Sequence, residues 1–498
     1  AVMLDPKPYG LDLARILSSP SPTTRGKITP DMVPLVMLIP GVNPAKLFAL
    51  RRPKTVDGVV QFVGNDGKAR YCLPVDSYVA LGANLQAVKA VAARGGKSIQ
   101  ARLSQADKAF IASHDVTLWV DMGKLSAMLA RVGRPGKPGA GATVKTNPLD
   151  MLTEMTREMK SGLVGLRFAE GGLFIDAAGN FAPDSLLGKA LAAYVPGEPR
   201  LLDRLPDMPY LLALGVLNAP RAPKELAARQ SAGSVMYGPL ARLSDEAKAK
   251  YRQTATALGE QIQSFQLCLG PKPQGGPGLR LVYVLECNSA STARAQLTEL
   301  ITLARGALQE AGDENAKGSR ISVRHEPAAA TIAGRKADAI TVSVAGAPDK
   351  DLALIRALLG EGPIRLLVLE ADDNTLVIAA GVTEAFLAKA LGVISGRKGR
   401  LASRPPVAKA LAMLPKKRTA AGIIDVRRLQ SLIKSVRKAA GGIPVAVNMT
   451  SEVPFAGVIS TSGPGVRVSL VLPTETVRDL MRIVSALLSQ AQNPPELR

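Results

Sequence analysis

The sequence has few aromatic residues and few histidines. Aromatic side chains make up 4% of the 498 residues, and Trp119 is the one tryptophan. Leu, Val, Ile and Ala must therefore fill the core, and few rings are left to stack on sugars or bases. The two histidines, His114 and His325, lie too far apart in the sequence to form a local metal motif. We interpret His114, which precedes Asp115, as a histidine in a surface turn.

Cysteine is also scarce. The three cysteines, Cys72, Cys268 and Cys287, show no CxxC spacing, and their odd number allows at most one disulfide. Cys268 and Cys287 flank a predicted hairpin, but its turn would not place them opposite each other. We expect buried free thiols, with a Cys268–Cys287 pair as the alternative.

Several motifs that carry chemistry are missing from the sequence. It contains no Walker motif, no GxSxG elbow, no HExxH pair and no EF-hand loop. Asp121 and Asp425 could be read as a catalytic pair, but each stands between a strand and a helix, where Asp is a favoured cap. Asp372-Asp373-Asn374 predicts a hairpin turn. We therefore predict no catalytic residue, no cofactor and no metal site, and we expect that the protein is not an enzyme.

The charge of the chain is strongly unbalanced. The formal net charge is +22, which suggests an acidic partner, although a diffuse coat that keeps the protein soluble would have the same charge. The basic clusters, which include Arg427 to Lys438, have no interleaved aromatics and match no specific nucleic-acid motif. The candidate contacts to an anionic partner are Arg131, Arg134, Lys137, Lys145, Arg397, Lys398, Arg400, Lys416, Lys417 and Arg418.

The start of the chain suggests export, and its hydropathy bears on membrane spans. The sequence begins Ala1-Val2-Met3, which fits removal of a secretory leader, although loss of the initiator Met alone would give the same start. No run of eighteen apolar residues occurs, so we expect no transmembrane span.

A chain of this length predicts two or more domains. The segment GDENAKGSR has the composition of a linker, and the first thirty residues are typical of an extended arm. The predicted organisation is an arm at 1–30, a first half at 31–311 with an insertion at about 133–250, a linker at 312–320, a second half at 321–490 and a tail at 491–498.

The two halves share a pattern. DSYVALGANLQAVKAV (76–91) and TLVIAAGVTEAFLAKAL (375–391) each run from a short strand through a glycine into an amphipathic helix, with Asn84 and Thr383 at the predicted N-caps. Three further pairs of strand–helix stretches follow the same order, among them GLRLVYVLECNSASTARAQL (278–297) and GVRVSLVLPTETVRDLM (465–481). The sequence predicts an internally duplicated α+β fold, with antiparallel sheets and helices packed on one face.

Some of these stretches resemble a known group of proteins. KARYCLPVDSYVALGANLQAVKAV, LVIAAGVTEAFLAKAL, VTLWVDMGKLSAML and LPDMPYLLALGV resemble repeated units of large, uncharacterised exported proteins of planctomycete-type bacteria. The resemblance implies an exported, envelope-associated protein built from strand–helix modules. It supplies no catalytic residues.

We therefore expect a non-enzymatic structural or protein-interaction subunit of the cell envelope, with self-assembly as one form of that role. Its location would be the periplasm, the cell surface or the extracellular space, and its partners would be itself or other envelope proteins. The alternative is a basic-surface binding protein for an acidic polymer, an anionic lipid or nucleic acid. A hydrolase with a dispersed site is the second alternative.

Overall fold

The chain divides into two compact units in a computed structural model. The first unit contains residues 1–168 and 175–182, and the second contains residues 169–174 and 183–498. The described residues are 2–3, 35–40, 43–64, 67–75, 78–93, 103–122, 157–194, 201–218, 243–272, 278–314, 320–346, 356, 360, 362–396, 399–439 and 449–492.

Strands and helices alternate along the described chain. The strands are β1 (Val2–Met3), β2 (Leu35–Pro40), β3 (Lys54–Val56), β4 (Val59–Val63), β5 (Ala69–Val75), β6 (Tyr78–Gly82), β7 (Val116–Asp121), β8 (Met159–Ala169), β9 (Gly172–Phe181), β10 (Leu212–Leu217), β11 (Ile262–Pro271), β12 (Leu279–Cys287), β13 (Arg320–Ile332), β14 (Arg335–Ala345), β15 (Ile364–Asp372), β16 (Thr375–Ala380), β17 (Ala420–Ile424), β18 (Phe455–Ser462) and β19 (Gly465–Pro473). The helices are α1 (Pro44–Leu47), α2 (Leu85–Ala92), α3 (Gln105–Ala112), α4 (Leu186–Ala192), α5 (Asp245–Gln261), α6 (Ala290–Glu314), α7 (Glu384–Ile394), α8 (Pro405–Ala412), α9 (Val426–Ala439) and α10 (Thr474–Gln492).

The first unit contains an antiparallel sheet in the order β1-β2-β6-β5-β4-β3. Helix α2 packs Ala87 and Val88 against Ala80 on one face of this sheet. On the other face, Val79 lies in a cluster with Phe62. Adjacent residues of β6 therefore face two different cores, as the alternation of side chains along a strand requires. In the same unit, β7 pairs with β8 in antiparallel fashion.

Three similar modules, together with the edge strand β13, form the sheet of the second unit. Each module is a strand, a connection, a hairpin and a helix, and its three strands are antiparallel neighbours. The modules are β10-α5-β11-β12-α6, β14-β15-β16-α7 and β17-α9-β18-β19-α10. They join through antiparallel pairing of β12 with β16 and of β10 with β17. The resulting order is β13-β14-β15-β16-β12-β11-β10-β17-β18-β19.

These arrangements confirm the α+β class with antiparallel sheets. Helices cover both faces of the second unit's sheet, however, where the sequence predicted one covered face. Val282 and Val284 of β12 pack into a cluster that includes residues of α7 and α8. Tyr283 and Leu285 point the other way, into a cluster with residues of α5 and α6. Because both faces of this strand are apolar, both need a cover.

The repeat is shorter than the predicted half-chain. The matched stretches β12-α6 and β19-α10 occupy the same place in two modules of one unit. Helix α6 continues to Glu314, inside the predicted linker 312–320, and β12 before the linker pairs with β16 after it. No boundary therefore separates the halves there. The predicted insertion at 133–250 contains β10, which lies between β11 and β17 in the sheet, so it is part of the framework.

Two predicted terminal segments fall almost wholly outside the described residues. Of the arm at 1–30, only Val2–Met3 is described, and of the tail at 491–498, only the end of α10. Among the described helices, none is both long enough and apolar enough to cross a membrane.

Candidate functional site

A polar pocket of about 370 Å³ lies in the second unit, where the chain before β18 meets the start of α10. The chain just before β18 and the first turns of α10 form the pocket. Helix α10 begins directly after β19 ends at Pro473. Its lining residues are Thr450, Ser451, Glu452, Val453, Glu475, Arg478, Asp479 and Arg482.

Asp479 is the buried centre of this pocket, with 1% of its surface exposed. Its carboxylate accepts hydrogen bonds from the backbone N–H groups of Thr450 (2.6 Å) and Ser451 (3.0 Å) and from the Thr450 hydroxyl (3.0 Å). Burial raises the pKa of Asp479, but the backbone N–H donors of Thr450 and Ser451 outweigh it and hold the pKa below the ordinary 3.8. The group is therefore an ionised carboxylate whose lone pairs bind the neighbouring segment.

Further hydrogen bonds connect this segment to both helices of its module. The Thr476 hydroxyl donates to Ser451 Oγ (3.0 Å), which donates to the Val453 carbonyl (3.0 Å). On the other side, the Met449 N–H donates to Oε1 of Gln430 in α9 (2.9 Å). Helix α9, the segment 449–453 and helix α10 therefore form one hydrogen-bonded frame.

The rim of the pocket carries charges of both signs. Arg482 is 67% exposed on its side chain and lies 3.5 Å from Asp479, whereas Glu452 is 74% exposed and pairs with Arg427 at 3.3 Å. The Glu475 carboxylate pairs with Lys409 at 3.6 Å. Since Asp479 is already saturated with donors, the groups left to contact a ligand are the exposed arginines and Glu452.

The outer surface of helices α9 and α10 combines basic and apolar side chains. The sequence of α9, VRRLQSLIKSVRKA, carries five basic residues and no acidic one. Ile433 of α9 is 49% exposed, and Met481 of α10 is 61% exposed. Sequence reasoning noted this basic stretch but left it out of the candidate contacts. The signal that could have selected it is the helical period, which separates its apolar residues from most of its basic ones.

Four of the ten predicted anionic contacts lie among the described residues. Arg131, Arg134, Lys137, Lys145, Arg397 and Lys398 lie outside the described residues. Of the others, Arg400 pairs with Asp203 at 3.9 Å, Lys416 and Lys417 are exposed, and Arg418 is half-buried.

The side chain of His114 is buried in the connection between α3 and β7, whereas we expected it in a surface turn. Its side chain has 0% exposure, and its Nε2 lies 2.7 Å from the Asp176 carboxylate. The Nδ1 atom lies 2.6 Å from the Phe110 carbonyl oxygen and 3.1 Å from the Ser113 hydroxyl. Gly165 makes room for the ring, because a Cβ there would come within 2.5 Å of it.

Both ring nitrogens of His114 therefore face acceptors. With Nδ1 donating to the Phe110 carbonyl, it cannot take a proton from Ser113, whose hydroxyl itself donates to the same carbonyl (2.8 Å). The arrangement resembles a triad in composition only, since a triad needs a base nitrogen free to accept. His114 and Asp176 instead link α3 to β9 within the first unit.

Two predicted local structures are confirmed. Asp425 caps α9, because its Oδ1 accepts from the Arg428 N–H (3.1 Å) and its Oδ2 pairs with the Arg428 guanidinium (3.0 Å). Asp373 and Asn374 form the turn between β15 and β16, with the Asn374 N–H donating to the Asp372 carboxylate (3.0 Å). The side chain of Asp121 lies outside the described residues.

The cysteines are buried and unpaired, as predicted. Cys268 and Cys287 belong to the two clusters on opposite faces of the sheet, which explains why they do not pair. Burial raises the pKa of Cys268 to about 12 and that of Cys287 to about 11. Both thiols are protonated at neutral pH.

An ionic cluster that the sequence did not reveal links α6 to the sheet. Arg294 donates from Nε (2.9 Å) and Nη2 (2.6 Å) to Asp338 of β14 and from Nη1 (3.1 Å) to Glu370 of β15. Asp338 also accepts from the N–H of Ala328 (2.8 Å), which has a positive φ of 52°. Burial raises the pKa of Asp338, but the donors, Arg294 foremost, bring it below 3.8. The partners lie 44 and 76 residues apart, so no local pattern could have found them.

Among the described residues, His, Cys, Asp and Glu form no group of three or more that could hold a metal ion. Comparison with models of known protein families finds no match, and neither curated proteins nor solved structures give a significant one.

Proposed function

We propose that this protein is a non-enzymatic structural or protein-interaction subunit of the cell envelope, exported from the cytoplasm. The observation that carries the proposal is the way in which its modules join. β12 and β16 are the last hairpin strands of their modules, and β10 and β17 are the first strands of theirs. Each junction therefore pairs strands that occupy the same position in their two modules. Modules added side by side in this way build a broad surface.

The use of the buried polar groups supports this role. Asp479 accepts from backbone N–H groups, Asp425 caps a helix, and Asp338 pairs with Arg294. Each of these carboxylates holds segments of the fold together, which is the arrangement expected where buried polar groups serve architecture.

The edge strand β13 opposes association of two copies by extension of the sheet. It pairs with β14 on one side and stands at the end of the strand order. Pro327 interrupts it, and its register shifts between Glu326 and Ala330. Proline and bulges on an edge strand oppose the addition of another strand. Self-association would therefore use helix or loop surfaces and not extend this sheet.

Size measurement together with cell fractionation tests the proposal. Light scattering of the native protein at micromolar concentration is expected to show a defined oligomer or larger particles. Antibody detection in fractions of the source cells is expected to find the protein in the envelope. A monomer that recovers no partner from envelope extracts, or a protein confined to the cytoplasm, would exclude this function.

A second function, binding of an acidic polymer or an anionic lipid surface, is favoured by the composition of α9. Its five basic residues have no acidic neighbour within the helix. The test is binding to a sulfated polysaccharide at several salt concentrations. Replacing Arg427 and Lys434 by Gln should weaken binding and lower the salt slope by about 2, because each lost contact releases about one counterion fewer.

The matched control replaces Lys416 and Lys417, which are exposed in the connection between α8 and β17, by Gln. The change in net charge is the same, so equal losses in both double variants would assign the binding to overall charge and not to α9.

A further inference from the structure

Arg280 is a buried arginine in an unusual setting. It is the second residue of β12, pairs with Gly270 of β11, and has 5% of its surface exposed. Its Nη2 lies 3.5 Å from the Pro209 carbonyl oxygen, at the limit of a hydrogen bond, and its Cζ lies 5.3 Å from the centre of the Phe386 ring. Its Nε is buried and has no hydrogen-bond partner among the described residues.

The carboxylates nearby are already paired with other arginines. Asp425 pairs with Arg428 at 3.0 Å, and its N–H donates to the Leu211 carbonyl, two residues from Pro209. Asp207, on the other side of Pro209, pairs with Arg404 at 3.7 Å. Among the described residues at this end of the sheet, three arginines therefore share two carboxylates.

A charge in this position is costly for the fold. Burying a guanidinium without a carboxylate loses its hydration and gains little in return. Burial lowers the pKa of Arg280, and the nearby Arg428 lowers it too. An anion bound to Arg280 would supply the missing charge and the missing acceptor together.

We propose that Arg280 binds the carboxylate group of a ligand at this end of the sheet. A guanidinium presents two parallel N–H donors along one edge, which match the two oxygens of a carboxylate. One unpaired positive charge suits a monoanion, whereas a phosphate dianion would need a second free cation. This site goes beyond the structural role, since either could hold without the other.

The direct test follows the Nε–H resonance of Arg280 by ¹⁵N NMR on the full chain. The resonance is identified by its loss in Arg280→Met, which keeps an unbranched apolar stem and removes the charge. Adding sodium acetate to about 50 mM, against sodium chloride of equal ionic strength, is expected to shift this resonance in a saturable way, because a new acceptor binds the donor. Sodium phosphate at equal ionic strength is expected to shift it less.

Thermal unfolding gives an independent measurement. Acetate should raise the melting temperature of the wild type by about 2 °C or more over chloride, as a ligand that binds the folded state does. Arg280→Met should lose this response. The matched control is Arg467→Met, at the corresponding position of β19, where the side chain is half-buried, and it should keep the response.

Three results would overturn the proposal. One is an Nε–H resonance that does not respond to acetate. Another is an acetate response that survives in Arg280→Met. The third is a response to phosphate and not to acetate, which would exclude a carboxylate site.

Discussion

Several buried carboxylates in this protein act as acceptors for the backbone. Asp479 binds the N–H groups of two successive residues, Thr450 and Ser451, and Asp107 forms a capping box with Ser104. Hydrogen bonds from N–H groups stabilise the ionised form of a carboxylate, so Asp479 contributes stability that depends on pH.

Replacing Asp479 by Ala is expected to lower the free energy of unfolding by about 2–4 kcal/mol at pH 7, because it leaves two backbone N–H groups without their charged acceptor. Urea unfolding measures this loss. The control is Glu475→Gln, which removes a partly exposed ion pair with Lys409 and should cost about 0.5 kcal/mol or less.

The contribution of Asp479 should also vary with pH in a defined direction. Its pKa is lower in the folded state than in the unfolded chain, so its stabilisation is fully present above about pH 4 and is lost as the pH falls through the folded pKa. The gap between wild type and Asp479→Ala is therefore expected to shrink from pH 5 to pH 2. A gap that stays constant would contradict the assignment.

The thiols should be unreactive in the folded protein. Burial raises the pKa of Cys72 and of Cys268 to about 12, and that of Cys287 to about 11. Since the thiolate is the reactive form, iodoacetamide at pH 8 should label these residues at least tenfold more slowly than in urea. Mass spectrometry of the labelled peptides measures each residue separately, and rapid labelling of the native protein would show that a thiol is accessible.

At the scale of single elements, several helices begin at side chains that cap them. Oxygen atoms of Asn84, Ser185, Ser244 and Thr383 accept from the N–H three residues later. These caps fix where each strand-to-helix connection ends, and the sequence indicated two of them correctly, at Asn84 and Thr383.

Thr383→Ala should reduce the free energy of unfolding by about 1 kcal/mol, because the Phe386 N–H loses its acceptor at 3.2 Å. Thr383→Ser is the matched control and should recover most of the loss, since it keeps the hydroxyl. Denaturant midpoints measure both variants. Equal destabilisation by Ala and Ser would assign the effect to the methyl group and not to the cap.

At the scale of the whole molecule, hydrogen bonding between modules should make the second unit unfold as one body. Leu369 of β15 and Ile423 of β17 are 0% exposed and belong to different modules of one continuous strand order. Leu369→Ala and Ile423→Ala should each cost about 2–5 kcal/mol and lower the same calorimetric transition. With four strands between them, the two effects should add in the double variant. Two separate transitions, each sensitive to one substitution, would show that the modules unfold independently.

The sequence by itself determined the local structures. Its turn residues predicted the hairpin at Asp373-Asn374, its capping side chains predicted the starts of α2 and α7, and the number and spacing of its cysteines predicted buried free thiols. These features depend on side chains within a few residues of one another, whose energetics do not change with the surrounding fold. The self-similarity of strand–helix stretches was likewise readable along the chain.

Only the tertiary structure decided how these pieces combine. The pairing of β12 with β16 and of β10 with β17, the second covered face of the sheet and the burial of His114 against Asp176 all join residues distant in sequence. The same holds for Arg280, because Asp207 and Asp425 pair with other arginines and its Nε has no partner in the part of the chain that the structure describes. Strand order is set by long-range burial and hydrogen bonding, which a periodic pattern leaves open, because any apolar strand can pair with any other until the whole core is packed.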